Sequence, residues 1–322
     1  MENIRKIQKT GGGTYAVSLP KEWAKGNGIS AGSPAFITPN SDGSLTIHTR
    51  PGSKGMARIV ETGSDLENSL RKVISAYVSG ADSIVVRGAL AGTVCEEARS
   101  RLSALETMEE NGDEVTLHVF HRGEAFTTDH VLRRMYVVVS AMFSVSRRLF
   151  ETGTDVLPEV EKREHELDRM YFLALRAANR DYGSLHRALN KTLAAKALED
   201  LADNLELACT NGRTVAPNAR LRGLLEKAEA VFRTCFETFY EERFSEKQFA
   251  LVQEFEERLG KEGDELMRKA HGPEKAVAMK GVLERLHSIA EYSKDLLEIG
   301  ADLAEFKKPE PERTSPLARG DE

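Results

Sequence analysis

Cysteine is scarce in this chain. Its 322 residues hold three, Cys95, Cys209 and Cys235, far apart and inside apolar-periodic segments. That spacing argues against a disulfide framework or a thiolate metal site, and for buried, inert thiols in a reducing interior. Long hydrophobic runs are missing too. The most apolar stretch, Met135 to Phe143 (MYVVVSAMF), is too short to span a bilayer. The opening MENIRKIQKT has no apolar core of a signal peptide. The expectation is a cytoplasmic protein without membrane insertion. Gly88-Ala89-Leu90-Ala91-Gly92 lacks the Gly-x-Gly-x-x-Gly phosphate cradle and its downstream acid. No serine or cysteine sits in a turn with a nearby histidine, so no nucleophile–base pair marks an enzyme.

What is present is charge, unevenly placed. Residues 1–56 hold seven basic side chains (Arg5, Lys6, Lys9, Lys21, Lys25, Arg50, Lys54) against three acids (Glu2, Glu22, Asp42), a balance of +4. With −6 for the whole chain, the remainder carries −10. An anionic partner would therefore meet the head. Aromatic residues do not interleave with its basic ones, as single-strand stacking would need.

The head packs strands, a short helix and a hairpin into about forty residues, too few for a good core. Ile4 to Thr10 and Thr14 to Leu19 read as strands around a Gly11-Gly12-Gly13 turn, and Pro20 opens a helix over Glu22 to Lys25 that Gly28 ends. Ala35 to Thr38 and Leu45 to His48 read as strands joined through Asp42-Gly43. Such a piece needs a partner, most simply its own copy from a second chain.

From residue 57 to about 126 the order strand (Met56–Val60), helix (Leu66–Ser79), strand (Ser83–Arg87), helix (Val94–Leu105), strand (Glu114–Phe120) predicts a small α/β module. His118 and His121 sit at a strand end and carry no ligand pattern. Beyond Asp129 the chain reads as six helices, about 129–151, 158–182, 184–211, 218–243, 246–270 and 274–306. Asp129 and Ser245 are candidate N-caps, Pro158, Pro217 and Pro273 mark helix starts, and Gly153, Gly212 and Gly272 mark ends. That punctuation predicts two sets of three helices, an internal repeat. The polar, proline-rich stretch 307–322 predicts a disordered tail.

Two resemblances sharpen this. Thr10-Gly11-Gly12-x-Thr14-Tyr15-x-Val17-Ser18-Leu19-Pro20-Lys21-x-Trp23, then Gly28-Ile29-x-x-Gly32 and Asp42-Gly43-Ser44-Leu45, resembles the SpoVT/AbrB swapped-hairpin domain, in the version fused to archaeal PhoU-like proteins. The resemblance implies an intertwined homodimer and DNA contact through Arg5, Lys6, Lys9 and Lys21. The helical body resembles PhoU, a phosphate-signalling protein of tandem three-helix bundles whose mark is an acid pair four residues apart on inner helices. Glu164-x-x-x-Asp168 and Glu199-x-x-x-Asp203 match it, each pair on one helix face. The second set departs from it: Glu284 is followed four residues on by Ser288, and Asp264 is preceded four residues back by Gly260. Acid pairs at this spacing are common on charge-rich helices, and the resemblance rather than the spacing singles these out. It implies a divalent or trivalent metal (Fe, Mn, Mg or Zn) on Glu164, Asp168, Glu199, Asp203 and Glu284.

The expected fold class is multi-domain α+β: a swapped-hairpin module (1–56), a small α/β module (57–126), and PhoU-like bundles at 127–213 and 214–306. The expected function is regulation of phosphate uptake by a non-enzymatic homodimer. Its partners would be promoter DNA and a phosphate ABC transporter or phosphate-signalling protein. The alternative is a metal-binding enzyme or di-metal carboxylate protein. Glu284-x-x-His287 gives that alternative one of the two Glu-x-x-His pairs it requires.

Overall fold

The computed structural model describes residues 4–39, 45–48, 56–120, 127–180 and 184–307. They fall into two compact units, one reaching to Met56 and taking in Ser184, and one holding the elements from Ala57 onward.

The N-terminal unit contains two separate two-stranded antiparallel sheets. β1 (Gln8–Thr10) pairs with β2 (Thr14–Ala16), Lys9 opposite Tyr15, across a tight turn at Gly11–Gly13. Gly12 and Gly13 take φ of 78° and 96°, a region closed to most side chains, so this turn needs glycine. Pro20 precedes α1 (Lys21–Gly26). β3 (Phe36–Pro39) pairs with β4 (Leu45–His48), Ile37 opposite Ile47. The Asp42-Gly43 turn expected between them lies outside the described residues. No side chain described from Ile4 to Ile47 is buried. Ile7, Tyr15 and Leu45 keep 71%, 69% and 63% of their surface open to solvent.

The second unit begins with a four-stranded sheet of order β5-β6-β8-β7. β5 (Ala57–Glu61) runs parallel to β6 (Ser83–Arg87), connected through α2 (Leu66–Val78). α3 (Ala91–Arg101) leads to the hairpin of β7 (Leu105–Asn111) and β8 (Glu114–Val119). Sequence reading missed β7 and carried the preceding helix to Leu105. The helix instead stops at Arg101, Leu102 is extended, and Ala104 turns left-handed at φ 59°. β7 is an edge strand with a bulge between Thr107 and Glu109 and with Glu106, Glu109 and Glu110 exposed. Those charges block edge pairing and hide the alternation that would have betrayed a strand. Tyr77, Ile84, Val86, Val94 and Leu117 form this module's core.

Six helices follow: α4 (Thr128–Thr152), α5 (Leu157–Asn179), α6 (Leu185–Gly212), α7 (Ala219–Tyr240), α8 (Glu246–Lys269) and α9 (Pro273–Phe306). Thr127, not Asp129, caps α4 by accepting the His130 N–H at 3.3 Å. Asp129 instead receives the buried Lys191 ammonium from α6 at 2.8 Å. Ser245 precedes α8 without capping it, whereas Asn218 caps α7. One continuous apolar core runs through all six helices. In each half the first helix packs on the second and third, and the second on the third. α6 also packs along α9, which makes it central, and it is buried on most of its circumference.

The α/β module is fastened to α5. α2 ends in a left-handed Gly80 (φ 95°), where an added Cβ would lie 3.2 Å from Arg180. Carbonyls at and just past that helix end are met by side chains of α5. Arg176 donates to Tyr77 O and Ala81 O, each at 2.7 Å, Asn179 to Val78 O at 3.0 Å, and Arg180 to Gly80 O at 3.0 Å. Both guanidiniums also reach Asp82. Arg176 is 2% exposed and lies over the Tyr77 ring. The three cysteines are buried, and burial pushes their thiols up, to about 12 for Cys95 and Cys235 and about 11 for Cys209, so none is a ready thiolate. Among the described residues no helix is long and apolar enough to cross a membrane. The tail from 308 lies outside the described residues.

Candidate metal centre and nucleic-acid interface

The carboxylates predicted on α6 gather on one edge of the central helix, and those on α5 lie within electrostatic reach of them. α6 buries Ala194, Ala195, Leu198, Leu201, Ala202 and Leu205, and the small alanines let neighbouring helices approach closely. Only Lys196, Glu199, Asp200, Asp203 and Glu206 interrupt that burial on this side, and none of the four acids is fully exposed.

Glu199, Asp200 and Asp203 each offer an oxygen within 4.8 Å of the others. Lys196 donates to Asp200 at 2.9 Å and also to Glu199, and lies 5.8 Å from the Tyr171 ring centre. Across on α5, Glu164 and Asp168 stand one helical turn apart. Burial and the neighbouring Asp168 charge push Glu164 up to about 7, and burial with the charges of Glu199 and Asp168 pushes Asp203 to about 6. Asp168, Glu199 and Glu206 are raised as well, chiefly by burial. His165 accompanies Glu164 at 3.1 Å but is anchored to Glu161 O at 2.7 Å.

The acids thus hold more negative charge than their surroundings balance, and an added cation would relieve it. The donors are all oxygen, which suits hard cations. Lys196 already supplies one positive charge to Glu199 and Asp200, so a metal would compete with it. The donor set fits a cation, with that competitor built in.

Two corrections follow. Glu284 does not join the group: it is 57% exposed and pairs with Lys280 on its own helix at 3.5 Å. His287 faces Glu291 at 3.6 Å, so Glu284-x-x-His287 forms no ligand pair. Sequence reading also missed Asp200 and Glu206. The signal was present, since acids at 199, 203 and 206 recur at helical spacing with 200 alongside, but attention to four-residue pairs passed over the adjacent acid.

In the N-terminal unit Arg5 and Lys6 precede β1, Lys9 is on β1 and Lys21 opens α1; all four are exposed. Among the described residues none of them forms an ion pair. Their cations are therefore open to an anionic partner.

Residues 8–56 match the family model described as antidote-toxin recognition MazE, bacterial antitoxin. The match supports a swapped-hairpin module of MazE/AbrB type at the N-terminus, a module of regulatory, DNA-binding type. It covers these residues and not the sheet or helices beyond. No curated protein and no solved structure matches the chain.

Proposed function

We propose that the protein is a homodimeric, non-enzymatic regulator of phosphate uptake. Two N-terminal units interlock and hold promoter DNA, and each helical body reads an intracellular signal in the manner of PhoU. The observation that carries the reading is that no described side chain from Ile4 to Ile47 is buried, with Ile7, Tyr15 and Leu45 open. A second copy would bury those apolar groups and double the exposed cations Arg5, Lys6, Lys9 and Lys21 on one surface. DNA contact through such cations is electrostatic and steeply salt-dependent. The phosphate assignment rests on the resemblance of the helical body to PhoU, supported by the acid cluster of α5 and α6. In that role the cluster holds a divalent or trivalent metal, and the body contacts a phosphate transporter or signalling protein.

The test has two arms. A mobility shift of the purified chain on its own promoter, repeated across salt, reads the DNA arm; retention unaffected by salt contradicts it. Phosphate uptake in a deletion strain under phosphate-replete growth reads the other; the proposal expects uptake to lose its repression, and unchanged uptake contradicts it.

A further inference from the structure

A second candidate site lies where the α/β sheet meets α4 and α5. The cleft there has a volume of about 980 Å³, in the size range of small-molecule sites. Val119, Val131, Met170 and Leu173 give it an apolar wall, and Phe120 adds a ring that is 46% exposed. An aromatic side chain left that open beside an apolar cleft offers surface for a ligand to cover.

Two arginines and a histidine stand among the polar groups of the cleft, against one acid, Glu106. His130 and Arg134, from the first two turns of α4, stand at the rim, and Arg176 lies at the base. Arg176 is locked by Tyr77 O, Ala81 O and Asp82, so it contributes positive potential without moving. Among the described residues Arg134 is held only by Glu166, at 2.9 Å, in a pair whose side chains are 65% and 40% exposed. Such a pair is weak, and a stronger acceptor can displace Glu166. The acid on the rim, Glu106, is paired with Arg99 at 3.4 Å. A smaller adjoining cleft of about 510 Å³ shares Ser103 and Met170 and adds Lys162 and Arg169.

The backbone at the lip is unusual too. Ala104 is held left-handed at φ 59°, and its carbonyl accepts the Phe120 N–H at 2.8 Å. A non-glycine residue in that region persists where its surroundings over-determine it, and such positions cluster at binding sites. Here the bond fixes the backbone that carries the aromatic wall.

We propose that this cleft binds a small amphipathic organic anion, its ring or short hydrocarbon body against Val119, Phe120, Met170 and Leu173 and its acidic group on Arg134 beside His130. The site is separate from the α6 acids, so it stands whether or not a metal binds there.

The test uses the full chain and anilinonaphthalene sulfonate, an aromatic body with one anionic group, followed by fluorescence. Saturable binding at one site per chain is expected. Arg134→Gln should weaken it by about tenfold, the loss of one charge-assisted contact. Phe120→Ala should weaken it several-fold, and Leu173→Trp should weaken it by crowding the apolar wall. Arg134 and Phe120 are exposed, so those two variants carry the test if Leu173→Trp fails to fold. Decanoate should displace the probe far better than decanol. The proposal is overturned by non-saturating fluorescence, by equal affinity in Arg134→Gln and Phe120→Ala, or by equal displacement by the alcohol and the acid.

Discussion

The N-terminal unit and the helical body solve the same problem in opposite ways. The body encloses one core across six helices, with Leu132, Phe143, Phe232, Leu201 and Ile289 closed to solvent. From Ile4 to Ile47 no described side chain is closed off. A short β segment has a large surface for its volume and cannot hide both faces of two-residue alternation by itself. Helices of twenty to thirty residues can hide theirs within one chain. In the proposed reading the contrast separates the roles: the body supplies stability, and the head supplies association.

The largest effect expected from that contrast is on assembly. Removing residues 1–56 should bring the mass in light scattering below half and raise the helical circular dichroism per residue modestly, because α1 is the one α-helix among the described residues removed. A truncated chain that remains dimeric would move the contact into the body. Next in size is core truncation. Phe232→Ala, at a fully buried ring stacked near Phe143, should cost about 3–5 kcal/mol of unfolding free energy. Tyr15→Ala should leave the body's unfolding midpoint in place and weaken only the dimer, read by dilution.

A smaller effect distinguishes the acid cluster from an ordinary solvated face. Glu164 and Asp203 hold their protons more tightly folded than unfolded, with values of about 7 and about 6 against ordinary values of 4.5 and 3.8. Between those limits the folded state binds more protons than the unfolded state, so stability falls as pH rises from about 4 to about 7. Added Mn²⁺ should offset the fall at pH 7, and Glu164→Gln should flatten it. Melting temperatures across pH, with and without metal, check both. A flat profile in the unaltered chain would mean the acids are well solvated. Glu199→Ala with Asp203→Ala should strip any bound metal, and Lys196→Ala should raise metal affinity several-fold by removing the competing ammonium; elemental analysis and calorimetry decide. The smallest effect is on DNA. Lys6→Ala with Lys9→Ala should weaken binding alike across sequences and lower the salt slope by about four, two contacts from each copy.

The helices were legible because their punctuation is local. Pro158, Gly153 and Pro273 act within a turn of where they sit, and apolar spacing over more than twenty residues leaves little ambiguity. β7 was not legible, because its outward charges answer to edge protection rather than to core packing. The acid pairs Glu164–Asp168 and Glu199–Asp203 could be read from spacing and resemblance. That Lys196 sits among them, and that Glu284 points to Lys280, depends on helix rotation within the bundle, which no local pattern records. The Arg176 fastening is less visible still. One arginine among three in α5 carries no sign that it will meet carbonyls nearly a hundred residues earlier.

The most direct measurement is the mass of the full chain in light scattering as it is diluted, together with hydrogen exchange of the strands between Gln8 and His48. The account predicts twice the single-chain mass, with strand amides protected only while that mass persists. A single-chain mass with those amides still protected would show that the opening residues close on themselves, and would contradict it.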